Sequence, residues 1–179
     1  MRIYSKTGDA GETGLLGGPR VVKNHPRIEC CGHVDELNAV IGVARSQRPL
    51  PAIDEVLQRV QGELFHLGAD LANAAGPNTA SPRIAAGHVT RLEGEIDRFE
   101  ERLPALRQFI LPGGDPLASH LHVARGVCRR AERAVVALSQ TGADGAEALR
   151  YLNRLGDLLF VLARTANREA GVADVVWEP

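Results

Sequence analysis

Apolar residues recur along most of this chain at intervals of three and four, the mark of helices that bury one face. Val34, Leu37, Val40, Ile41 and Ala44 form a first stripe, too short to hold as an isolated helix and so expected to pack on something longer. After Pro49 and Pro51 the pattern resumes through Ile53, Val56, Leu57, Val60, Leu64, Leu67 and Leu71. Ser81 followed by Pro82 reads as the N-cap and first helical position of a third helix, which Pro104 closes. Asp115-Pro116 repeats the device and opens a fourth, carrying Leu117, Leu121, Ala124, Val127, Cys128, Ala131, Val135 and Leu138 up to Gly142. A fifth is expected from Asp144, with Glu147 at a capping-box spacing, and its stripe of Leu149, Leu152, Leu155, Leu159 and Leu162 runs on to Gly171. No segment alternates convincingly with the period of a strand. The pattern therefore predicts an all-α fold, a five-helix antiparallel bundle with short Pro/Gly connections. One domain spans 1–179, divided into an irregular glycine-rich arm at 1–33, the bundle at 34–171 and a tail at 172–179.

Composition narrows the classes of function. With 179 residues, 44% of them hydrophobic, the chain is long enough to bury one proper core. A net charge of -1 supplies no general attraction to nucleic acid, so any anion must be held by local clusters of Lys and Arg. Three cysteines, two of them adjacent at Cys30 and Cys31, make a poor disulfide framework and fit a reducing compartment. There is neither a signal-peptide core nor a run near the roughly 20 apolar residues that a membrane span needs. A soluble, cytoplasmic protein is expected.

Bundle packing does not account for several stretches. The opening SKTGDAGETGLLGG is rich in glycine, with hydroxyls at Ser5, Thr7 and Thr13 and lysines at Lys6 and Lys23. Glycines let consecutive amides turn into one concavity, which suits a polyphosphate, although neither standard nucleotide fingerprint is present. A plain flexible arm has the same composition. On the fourth helix, ARGVCRRAER places Arg125, Arg129 and Arg133 four residues apart, with Arg130 beside them and Glu132 the one acid. Such a face is either solvated and internally paired or lacks an anion supplied from elsewhere. On the fifth, Asn153 and Asp157 flank the leucine seam, able to bond a base or ribose or to tie two helices together. FILPGGDP, with Phe109, Ile110 and Leu111, reads by periodicity as a loop plug over the core. Cys30, Cys31 and His33, and likewise His120 and His122, lack the spacing of a zinc site, and no metal ligand is assigned.

Taken together, SKTGDAGETGLLGGPRVVK, CGHVDELNAVIG, FILPGG, ARGVCRRAER and YLNRLGDLLFVLAR, in this order, resemble the PduO-type ATP:cob(I)alamin adenosyltransferases. The resemblance implies a homotrimer with ATP sites at subunit interfaces, transferring the 5′-deoxyadenosyl group of ATP to the cobalt of cob(I)alamin and releasing triphosphate. It assigns the phosphates, with Mg²⁺, to Ser5–Gly14 (Ser5, Lys6, Thr7, Gly8, Asp9, Gly11, Thr13, Gly14) and to Lys23. Arg129, Arg130, Glu132, Arg133 and Asn153 are expected to meet the nucleotide from a second subunit, and Arg129, Phe109, Asp35 and Arg125 form the expected catalytic set. Asp35 and Arg125 match an intersubunit salt bridge that shapes the site, and Phe109 matches an aromatic residue against the lower face of the corrin ring. The chain departs from the family at Ser5, usually threonine, at Asn24-His25, often two acids, and at Pro19 and the Cys30-Cys31 pair.

That reading implies no covalent catalyst, because cob(I)alamin is itself a strong nucleophile; the protein positions cobalt and C5′ and meets the charge of the leaving triphosphate. A flavin-type cobalamin reductase and an adenosylcobalamin-dependent mutase or dehydratase are the implied partners. The rivals are an ATP-binding phosphotransferase or ATPase, which would release phosphate or diphosphate, and a non-catalytic helical scaffold, which ATP would not stabilise.

Overall fold

The computed structural model describes residues 3–75, 83–143 and 145–178. Among them a two-stranded hairpin, β1 (Glu12–Gly14) and β2 (Arg20–Val22), precedes five helices: α1 (Pro26–Ser46), α2 (Pro51–Ala72), α3 (Ala86–Glu100), α4 (Pro116–Ser139) and α5 (Ala146–Glu169). Packing runs α3–α5–α4–α1–α2, with a slighter contact between α2 and α5. Every apolar position expected in the α2 and α4 stripes is buried. The centre is α5, whose residues from Leu158 to Asn167 are buried around nearly the whole circumference. A helix enclosed in this way needs apolar or fully bonded side chains on every face.

The helix ends follow local chemistry. Asp115 caps α4, its carboxylate accepting the Leu117 N–H at 2.9 Å, and Pro116 stands at the first turn, as expected. The first helix is much longer than its stripe: it begins at Pro26, because His25 acts as the cap, Nδ1 accepting the Arg27 N–H at 3.2 Å. One of the atypical residues of the sequence thus has a structural task. The third helix starts at Ala86 and ends at Glu100, ahead of Pro104. Ser81, Pro82 and Asp144, the caps expected from sequence, lie outside the described residues, and the residue preceding α5 is Gly145. The hairpin was not anticipated; its strands are three residues each, too short for alternation to register.

Polar links set the register between helices. Asn38 and Gln61 exchange hydrogen bonds with each other's backbone carbonyls across α1 and α2, at 3.2 and 3.0 Å. The Tyr151 hydroxyl donates to Glu63 at 2.8 Å, and Arg59 bonds the other carboxylate oxygen at 2.8 Å. Burial first, then the Glu63 charge, pushes the Tyr151 phenol well above its ordinary range, so it stays a donor. Among the described residues no helix is long and apolar enough to cross a membrane.

Candidate functional site

The arm is folded, not slack. β1 and β2 pair antiparallel with Glu12 opposite Val22, Thr13 opposite Val21 and Gly14 opposite Arg20. Before the hairpin the chain turns tightly, the Gly11 N–H reaching Gly8 O at 3.1 Å and the Lys23 N–H reaching Gly11 O at 2.9 Å. Lys6 sits at φ 62 and Gly11 at φ 84, both in the left-handed region, where a lysine is uncommon. Ser5 and Thr7 share a hydroxyl hydrogen bond of 2.8 Å. The Lys23 ammonium lies close over Gly8, 3.3 Å from where a Cβ would stand. Five expected phosphate residues, Ser5, Lys6, Thr7, Gly8 and Lys23, are thereby brought into one exposed loop, with Asp9, Thr13 and Gly14 adjoining. Arg20, which the sequence reading passed over, ties this loop: its guanidinium donates to Thr7 O at 2.7 Å and Glu12 O at 3.2 Å.

The hairpin docks on the end of α2. Leu16 donates to Ala72 O and accepts from the Ala74 N–H, both at 3.0 Å. At Gly17 and Gly18 a Cβ would strike the methyl groups of Ala75 and Ala74, so the glycines permit the approach.

A second group lies on α4 and α5. Glu132 accepts from Arg129 at 2.8 Å and from the Asn153 amide at 3.0 Å, fixing both donors. The Arg129 stem crosses α5 over Gly156, 3.4 Å from a would-be Cβ there. Beside Glu132 and Asn153 a cavity of about 600 Å³ opens toward Thr90 and Glu93 of α3. Arg133 is exposed, with no ion pair among the described residues. Arg130 does not share this arrangement. It pairs with Glu36 of α1, so its charge is met within the chain.

A third group surrounds a cavity of about 520 Å³ that both Phe109 and Arg125 line, with Leu106, Arg154, Asp157 and Phe160. The Arg125 guanidinium stands 5.6 Å from the Phe160 ring centre. Asp35 and Arg125 are both exposed and make no ion pair with each other among the described residues. Phe109 corrects the expectation of a plug: it is 78% exposed. Its loop is held from the side by the C-terminal tail, Leu111 donating to Val175 O and Trp177 to Phe109 O, each at 2.8 Å. The Phe109 and Trp177 rings meet edge to face, centres 6.5 Å apart.

The cysteines take no part in these groups. Burial pushes the Cys30 thiol up to about 11 and the Cys128 thiol up to about 12, so both remain protonated at neutral pH. Among the described residues no three His, Cys, Asp or Glu side chains gather where a metal could be held.

No hydrogen bond or ion pair joins the arm loop to Arg129, Glu132, Arg133 or Asn153 among the described residues; the arm's polar contacts outside itself go to the end of α2. The residues expected to meet the nucleotide thus fall into two groups that share no hydrogen bond or ion pair among the described residues. Comparison with known proteins bears on what they do. A family model described as cobalamin adenosyltransferase matches residues 3–166. The corrinoid adenosyltransferase of Mycobacterium tuberculosis (strain H37Rv) is 46% identical over 183 residues, covering 99% of this chain and 93% of that protein. The Bacillus subtilis (strain 168) corrinoid adenosyltransferase is 43% identical over 182 residues, with coverage of 99% and 93%. A variant PduO-type ATP:corrinoid adenosyltransferase from Lactobacillus reuteri, solved with cobalamin and ATP, superimposes with a TM-score of 0.93 at 37% identity, over 99% of this chain and 100% of that one.

Proposed function

The chain belongs to the cobalamin adenosyltransferase family and catalyses ATP-dependent adenosyl transfer to cobalamin, and we propose that it does so at sites completed between neighbouring copies in a homotrimer. The observation that supports the shared site is the separation of the two half-sites. One loop carries Lys6, Lys23 and the glycine backbone, while Arg129, Glu132, Arg133 and Asn153 lie on the α4/α5 face, and among the described residues no hydrogen bond or ion pair joins the two. Heterologous contacts in a closed ring bring one such patch against the other.

In this reading the arm loop wraps the triphosphate, and Lys6, Lys23 and the Arg129 guanidinium meet the charge that builds as it leaves. The cobalt of cob(I)alamin attacks C5′; the Co–C bond forms as C5′–O breaks, and the electron pair departs on triphosphate. Cobalt is thereby oxidised from Co(I) to Co(III), so no further oxidant is needed. Glu132 holds Arg129 and Asn153 at fixed angles, which lets them act without reorganising. A preorganised donor of this kind is worth about 3 to 4 kcal/mol of barrier. Asp35 and Arg125, each without an ion pair among the described residues, pair across the interface, and Phe109 meets the lower face of the corrin. There it excludes the axial ligand and eases reduction of cob(II)alamin. Among the described residues no cluster of three or more His, Cys, Asp or Glu side chains stands ready for Mg²⁺, so the ion would travel on the phosphates of ATP. The chemistry calls for a flavin-type reductase upstream and an adenosylcobalamin-dependent mutase or dehydratase downstream, in the cytoplasm where the free thiols stay reduced.

Anaerobic incubation with ATP, Mg²⁺ and chemically reduced cobalamin tests the reaction. The absorption spectrum is expected to pass from cob(I)alamin to the alkylated form with one triphosphate released per turnover; release of phosphate or diphosphate in that step would overturn it.

A further inference from the structure

We infer that Trp177, on the C-terminal tail, is a positioning residue that sets the placement of the Phe109 ring. The inference rests on the reading that Phe109 faces the corrin.

The bundle itself does little to hold Phe109, whose ring is mostly exposed. The backbone of its loop is pinned by the tail, through the bond from the Trp177 N–H to Phe109 O, the bond from the Leu111 N–H to Val175 O and the bridge between Ile110 and Val176. The tail is anchored in turn by the end of α5. Asp174 accepts from Arg164 at 2.9 Å and from Asn167 at 3.3 Å, and both of those side chains are buried. The same Asn167 amide takes the Asp115 N–H at 2.9 Å and donates to Gly113 O at 3.1 Å. One buried amide therefore grips the far end of the Phe109 loop and the root of the tail together. Gly114 fits against it at φ 105, where any Cβ would collide with the Asn167 side chain.

A tail that merely sealed the core would bury its apolar residues. Here the order is reversed: the acid Asp174 is tucked in, while Val175, Val176 and Trp177 remain exposed beside Phe109 and Leu111. The anchoring delivers an aromatic surface against Phe109, itself part of the lining of the cavity of about 520 Å³, and the edge-to-face contact fixes the angle of the ring.

The test compares Trp177→Ala, Trp177→Phe and Phe109→Ala. For each, the adenosylation rate from cob(II)alamin, with a reduced flavin donating the one electron to cobalt, is divided by the rate from pre-reduced cob(I)alamin. The electron paramagnetic resonance signal of cob(II)alamin bound with ATP reports loss of the lower axial ligand. Trp177→Ala is expected to lower the rate ratio about two- to tenfold, the size of one aromatic pair, and to diminish the ligand-free signal. Trp177→Phe restores both. An unchanged ratio and signal in Trp177→Ala, with Phe109→Ala losing them, overturns the role of the tail alone. If Phe109→Ala keeps the signal, the corrin-face reading fails and the inference falls with it.

Discussion

His122 shows how much a single side chain can encode. It is buried on α4 against Phe160, ring centres 6.1 Å apart, and its Nε2 has no hydrogen-bond partner among the described residues. Burial first, then the Arg125 charge, lowers its pKa from the ordinary 6.5, against a smaller opposing pull from Asp174. The folded state thus binds the proton less readily than the unfolded chain. Stability from this site is full above about 6.5 and is lost as pH falls below that value. His122→Leu should therefore flatten the decline of the melting temperature between neutral and mildly acidic buffer. Parallel curves for the two proteins would show that the imidazole does not contribute. Arg129 makes the complementary point: its residue type was legible in the sequence, but its direction came only from Glu132 and from the absence of a side chain at Gly156.

Among the elements, α4 carries several of the proposed site residues along its length and depends on its first turn. Removing the Asp115 cap costs about 1 kcal/mol, or roughly 2 to 4 °C in melting temperature for a chain of this size. Asp115→Ala should show that shift in thermal denaturation, with Asp115→Asn close to wild type; no shift would mean that the Asn167 bond to the Asp115 amide holds the first turn without the side-chain cap on Leu117. The apolar stripes of α2 and α4 were fully readable because burial on one face imposes a period of 3.6 residues. The start of α1 was not, since His25 is an unusual cap and Ile28, Cys30 and Cys31 give no clean stripe. The role of the tail was hidden for a different reason. Its pairing with the loop at Phe109 joins residues far apart in sequence by backbone bonds, which side-chain patterns do not encode.

For the whole molecule, the proposed assembly makes a prediction that no single chain can satisfy. A chain with Lys23→Ala and a chain with Arg129→Ala should each lose activity by on the order of a hundredfold or more. Mixed at random in one closed ring, they should recover about a quarter of wild-type activity, since that fraction of junctions pairs two intact halves. Activity of the co-assembled mixture no higher than either parent would refute the shared site. The separation of the arm from the arginine face carries a further consequence for any population of unequal chains. A subunit damaged in both halves silences the junction on each of its sides, so a minority of such chains would depress output by more than their share of the protein.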